Sequence, residues 1–293
     1  MRQTVAFVLL CLMLAAHSFS AQAASENIFT EIAQVETNER QIPVEDLARE
    51  ITLRYQGITP SQWREGGAGI VSVLPYPSDC SIGQNGSTNA LPNACRGQMP
   101  QRGVALTLDA CDGKTDMRII ALLRELLIPA TLFVTNRWLR DNAELAADLA
   151  ADPLFSLEAH GVLHKPASVA GWSAYGITGT KNIPALVVEV EDNAWAIAAI
   201  TGKKPRWYRS GTAFYDDVAL RVIQELNFSV AGFSINADQG ATLSAKTVAK
   251  RLLSAKDGDI LLLHINHPES GTFKGLKEAL PKMVEAGIQF VGL

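Results

Sequence analysis

From position 101 onward, short runs of β-branched and apolar residues alternate with longer stretches of helical period. Few architectures accept that rhythm, because a strand followed by an amphipathic helix, repeated, lays a parallel sheet against a layer of helices. The pattern predicts strands at 104–108, 131–134, 155–159, 206–209, 229–234, 260–263 and 288–291. Helices are predicted at 117–127, 143–151, 184–200, 217–226, 246–255 and 276–285. The chain shows no internal repeat and no low-complexity tract.

The 293 residues divide near position 100. Residues 1–23 read as a secretory signal, with Arg2 at its start, an apolar stretch from Val5 to Ala16, and Ala21-Gln22-Ala23 as the cleavage pattern. The apolar stretch falls well short of the roughly 20 residues that span a bilayer, and no other segment is long and apolar enough, so the mature chain is expected in a secreted or periplasmic space without a membrane span. Residues 24–100 form an N-terminal extension. Its helix is predicted at 44–55, where Val44, Leu47, Ile51 and Tyr55 share one face. Cys80 and Cys95 bracket a polar loop, and their pairing in an oxidising compartment would stabilise by about 3 kcal/mol. Asn85-Gly86-Ser87 matches a glycosylation sequon, although Asn-Gly is more simply a tight turn. With 26 basic against 30 acidic side chains and no basic cluster, the chain is not built for nucleic acid or for an anionic membrane.

The reactive side chains gather at the carboxyl ends of the predicted strands. Asp109 follows the first strand, His160 the third, Arg209 ends the fourth, Asp238 lies beyond the fifth, and His264 follows the sixth. In a parallel barrel those ends converge on one mouth. His160 and His164 stand four apart, a separation at which one turn of chain aims both imidazoles at one ion. Gly161 occupies the position where a metalloprotease helix would carry its glutamate. The segment from Asp109 to Asp116 holds three carboxylates, Asp109, Asp112 and Asp116. Two roles await them, a ligand that completes a facial set with the imidazoles and an unbound base that takes a proton from water. Asp116 doubles as a natural cap for the helix starting at Met117. Cys111 is read as a small buried filler, with zinc ligation as the alternative. His267 belongs either to the surroundings of the site or to a solvated loop, and Trp172 and Tyr175 either line the groove or anchor their own loop.

These motifs resemble the polysaccharide deacetylases with NodB homology, metal-dependent N- and O-deacetylases of chitin, peptidoglycan and related glycans. Thr107-Leu108-Asp109 with Asp112-Gly113 is similar to the family's Thr-Phe-Asp-Asp-Gly motif, and His160 to His164 to its His-x-x-x-His motif. Tyr208 to Ala213 and Ile260 to His264 are similar to two further motifs, and the resemblance spans 101–293. It implies an α/β fold, a distorted (β/α)7 barrel with a small N-terminal extension. It implies Asp109 as general base, and Asp112, His160 and His164 as ligands of a divalent metal ion, zinc foremost, with Asp116 as the alternative ligand. His264 becomes the general acid, tuned by Asp238, and Arg209 holds Asp109. A backbone N–H near Gly211 to Ala213 would help the metal stabilise the oxyanion.

The sequence also departs from the family pattern. Ala110 and Cys111 separate the paired aspartates, Ser210-Gly211 replaces Pro-Pro, and Asn236-Ala237-Asp238 stands where members often carry a tryptophan. The expected function is an exported hydrolase that removes acetyl groups from a carbohydrate polymer or oligosaccharide. Two alternatives are hydrolysis of a small non-carbohydrate amide on the same fold and a non-catalytic glycan-binding protein.

Overall fold

The computed structural model describes residues 42–66 and 103–293. The signal stretch, the Cys80–Cys95 pair, the sequon at Asn85 and most of the extension lie outside the described residues. Strand β1 (Trp63–Glu65) precedes a run of βα units that opens with β2 (Val104–Ala110), and helix α1 (Val44–Arg54) precedes them all.

Seven parallel strands lie in one curled row. In chain order they are β2, β3 (Ala130–Val134), β4 (Phe155–Ala159), β7 (Trp207–Tyr208), β9 (Ser229–Val230), β10 (Ile235–Asn236) and β11 (Ile260–His264). The row runs β10-β11-β2-β3-β4-β7-β9, and β12 (Phe290–Val291) pairs with the start of β2. This is the half-barrel of a distorted (β/α)7 architecture. A short antiparallel hairpin, β5 (Ser173–Ala174) and β6 (Ile177–Thr178), stands apart from it.

Side-chain alternation sorts the strands into two faces. Val104, Leu106, Leu108 and Ala110 of β2 join the main apolar core with Ala130, Leu132 and Val134 of β3 and Leu261 and Leu263 of β11. The intervening positions, Thr107, Asp109, Thr131 and Phe133, turn to the barrel interior, where polar groups are buried yet bonded. Register places Leu262 opposite Thr107 and His264 opposite Asp109, so the chemistry-bearing side chains share the inner face.

The helices follow the capping rules. In α2 (Met117–Glu125), Asp116 accepts from the Arg118 N–H, the capping role foreseen for it. Helix α3 (Asn136–Asp141), which the periodicity does not reveal because it is under two turns long, is capped by Thr135 and buries Trp138. Helix α4 (Ala143–Ala151) matches its predicted bounds. Helix α5 (Ile183–Thr201) is capped by Asn182, carries a proline in its first turn and ends at left-handed Gly202. The remaining barrel helices are α6 (Asp217–Glu225), α7 (Ala245–Leu252) and α8 (Thr272–Glu285).

The predicted strand at 229–234 is shorter than its apolar run suggests. After Val230 the chain leaves the ladder and resumes beside β11 as β10. Before the barrel, α1 buries Val44, Ala48 and Ile51 and packs on α5. Strand β1 pairs antiparallel with β8 (Phe214–Asp216), and Asp217 accepts from the backbone N–H groups of Ser61 and Gln62. Among the described residues, no helix is long and apolar enough to cross a membrane.

Candidate active site

Asp109 lies within β2, its carboxylate almost wholly buried. A lone buried carboxylate would take up a proton, but the Arg209 guanidinium meets it, Nη1 to Oδ1, at 2.7 Å. Arg209 is itself fully buried and donates to Thr107 Oγ1 and to the carbonyls of Ala231 and Gly232, while its plane covers the Phe133 ring at 4.2 Å. Burial by itself pushes the Asp109 carboxyl up; Arg209, then His160 and His264, outweigh it and leave the group below the usual carboxylate range.

His160 follows β4 directly and is fully buried. Its Nδ1 lies 2.8 Å from the Arg209 carbonyl oxygen, an acceptor only, so Nδ1 is committed as a donor and Nε2 is the nitrogen turned toward the site. Nε2 faces Cys111 Sγ and Asp109 Oδ2, each at 3.6 Å. The His164 ring meets that of His160 edge-on, with centroids 4.9 Å apart. Cys111, His160 and His164 each offer a ligand atom, and these atoms all lie within 4.8 Å of one another, a donor set suited to a divalent cation.

Asp112 and Asp116, the carboxylates expected as ligands, make local contacts. Asp112 Oδ1 accepts from the Lys114 N–H at 3.2 Å, and Asp116 pairs through both oxygens with Arg118, at 2.7 Å each.

His264 ends β11 and donates from Nδ1 to Asp238 Oδ1 at 2.9 Å. The other Asp238 oxygen accepts from the His264 backbone N–H and from the Thr272 hydroxyl, so this buried carboxylate is fully satisfied. Burial would drive the imidazole toward neutrality; the hydrogen bond it donates to Asp238, helped by Cys111, reverses that and raises its pKa well above the ordinary histidine value.

Two supports were not apparent from the sequence. Glu189, on α5, accepts from the backbone N–H groups of Leu163 and Lys165, and Asn193, one turn on, accepts from those of His160 and Gly161. Both are buried polar residues on a largely apolar helix that also carries Glu191 and Asp192, so nothing in the sequence singled these two out. Together they shape the loop in which His164 adopts φ of 59°. Gly211 presses on that loop so closely that a Cβ there would meet the His164 carbonyl carbon at 2.2 Å. Of the segment expected to stabilise an oxyanion, the Ala213 N–H is engaged with the Ser210 carbonyl. His267 lies beside Glu269 at 3.3 Å on the rim. Trp172 packs edge-on against Trp63, and Tyr175, largely exposed, meets Phe214 edge-on and donates to Glu65.

Residues 96–231 match the family described as polysaccharide deacetylase. A bifunctional xylanase/deacetylase of Pseudobutyrivibrio xylanivorans is 22% identical over 227 residues, which cover 76% of this chain and 33% of the relative; the match thus spans about a third of the relative's length. Among solved structures, a CE4 family pseudoenzyme from Bacillus anthracis superposes with a TM-score of 0.54 at 19% identity, covering 65% of this chain and 63% of that one. A family 4 carbohydrate esterase of Bacillus subtilis gives a TM-score of 0.53 at 18% identity, covering 64% and 77%. At these identities the structural likeness establishes the fold.

Proposed function

We propose that the chain, whose residues 96–231 match the polysaccharide deacetylase family, is an exported, metal-dependent hydrolase that removes acetyl groups from N-acetylated or O-acetylated glycans. The observation that carries this reading is the meeting at one barrel mouth of an arginine-clamped aspartate, a cation donor set containing His160 and His164, and an aspartate-paired histidine.

A divalent cation bound at the imidazoles supplies Lewis-acid polarisation of water and of the acetyl carbonyl. Asp109, kept ionised by Arg209, accepts the proton of the attacking water. His264, kept protonated by Asp238, gives a proton to the departing amine or alcohol. The buried Arg209, Thr107 and Phe133 around Asp109 exclude water there, and its second oxygen, Oδ2, faces His160 Nε2 at 3.6 Å.

Two features favour a glycan over a small amide. Trp63, Trp172, Tyr175 and Phe214 form an aromatic cluster whose Tyr175 is exposed, and rings of this kind offer apolar faces to sugars. Phe214 lies three residues beyond Gly211, which packs on the His164 backbone. The segment at 1–23, read as a secretory signal, supports encounter with cell-wall or extracellular polysaccharide. A non-catalytic role calls for loss of a reacting group, whereas Asp109, His160, His164 and His264 are all in place.

Acetate release from acetylated chito-oligosaccharides and from peptidoglycan, measured beside metal content, tests the reading. Asp109→Asn is expected to lower turnover about 10²- to 10⁴-fold while retaining metal, and His160→Ala to lose both. Full activity in Asp109→Asn would overturn it.

A further inference from the structure

We propose that Cys111 supplies the third protein ligand of the cation site, where the family pattern would place a carboxylate, so that the chain presents a Cys111–His160–His164 set selective for a thiophilic divalent ion such as zinc. The inference rests on the deacetylase reading for the existence of the site and departs from that reading in the identity of the donor.

Strand alternation is its origin. Strand β2 continues through Ala110, whose side chain enters the main core, so Asp109 and Cys111 flank it and turn to the same inner face. The next residue, Asp112, falls out of that phase, and its carboxylate folds back on the Lys114 N–H. The Thr135 hydroxyl, which donates to the Cys111 carbonyl at 3.1 Å, fixes the backbone there.

The distances suit a tetrahedral ion. Zinc–sulfur and zinc–nitrogen bonds of about 2.3 and 2.1 Å, near the tetrahedral angle, put the two donors about 3.6 Å apart. Cys111 Sγ and His160 Nε2 are separated by 3.6 Å. The hydrogen bond from His160 Nδ1 to the Arg209 carbonyl fixes the ring so that Nε2 is the nitrogen that faces Sγ. Each carboxylate within reach along the same segment has a partner already: Asp109 holds Arg209, Asp112 the Lys114 backbone and Asp116 the Arg118 side chain. A thiolate in the set shifts preference from hard ions such as magnesium and manganese toward zinc, cobalt and cadmium.

Cobalt(II) loading of the full chain, followed by absorption spectroscopy, tests the assignment. The expected result is a thiolate-to-cobalt charge-transfer band in the near ultraviolet that is lost in Cys111→Ser and persists in Asp112→Asn and Asp116→Asn. His160→Ala should lose the band and the bound cobalt together. His160-dependent cobalt binding with no such band, or a band that survives in Cys111→Ser, overturns the cysteine assignment and leaves the deacetylase reading standing. If no cobalt binds in a His160-dependent way, both fall.

Discussion

Asp109 and His264 are register partners on neighbouring parallel strands, yet their surroundings hold them in opposite protonation states. Burial alone would protonate the aspartate and neutralise the histidine. Arg209 on one side and Asp238 on the other reverse both tendencies, and an ionised base and a protonated acid are left at one barrel mouth.

Asp238→Asn should therefore move the alkaline limb of the activity profile to lower pH. A protonated His264 is needed as the acid, so activity falls as pH rises through its pKa. Loss of the Asp238 charge lowers that pKa, and the fall begins earlier. A pH–rate profile of acetate release checks this; an unmoved alkaline limb would assign it to another group.

Glu189→Ala should weaken metal binding about 10- to 100-fold although Glu189 touches no ligand atom. Its carboxylate holds the N–H groups of Leu163 and Lys165, and without it the loop that carries His164 relaxes. Glu189→Gln keeps an acceptor oxygen and should stay close to wild type. Calorimetric zinc titration of the two variants separates these outcomes.

Gly211→Ala should destabilise by about 1–3 kcal/mol and lower metal affinity with it. The added methyl group would press into the His164 backbone, which has no flexible end to give way. Thermal unfolding with and without zinc measures both effects, and a native-like response to zinc would show that the loop can retreat without cost.

Glu158 gives the fold a pH dependence of its own. Burial raises its carboxyl from 4.5 to about 7, against the lowering hydrogen bonds it accepts from the Trp207 and Arg206 N–H groups. The native state thus holds this proton more tightly than the unfolded chain does. Its contribution is fully favourable below pH 4.5 and is lost as pH rises toward about 7, a change on the order of 3 kcal/mol. Glu158→Gln should flatten that slope and raise stability at pH 8, as read from denaturant midpoints at both ends of the range.

Much of this arrangement was legible because parallel barrels send strand ends to one mouth. The apolar runs at 131–134 and 155–159 became β3 and β4, and Asp109, His160, Arg209 and His264 converge as their positions imply. What escaped was decided by phase and by neighbours. The run at 104–108 gave no sign that its strand continues to Ala110, and only that continuation turns Cys111 inward. Asp238 follows a separate strand at Ile235–Asn236, whose pairing with β11 depends on contacts distant in sequence. Glu189 and Asn193 looked like ordinary polar positions of a helix, because their partners are backbone groups of a loop that periodicity does not describe.

The three-residue ribbon of Trp63 to Glu65 against Phe214 to Asp216 has a practical corollary. A fragment excised at Gly103 would leave the rim of Phe214–Asp216 without its cross-strand neighbour and strip α5 of the cover given by Val44, Ala48 and Ile51. Bare strand rims invite self-association. The stretch ahead of the βα units therefore works as a clasp, and a soluble product from this gene segment should begin before it.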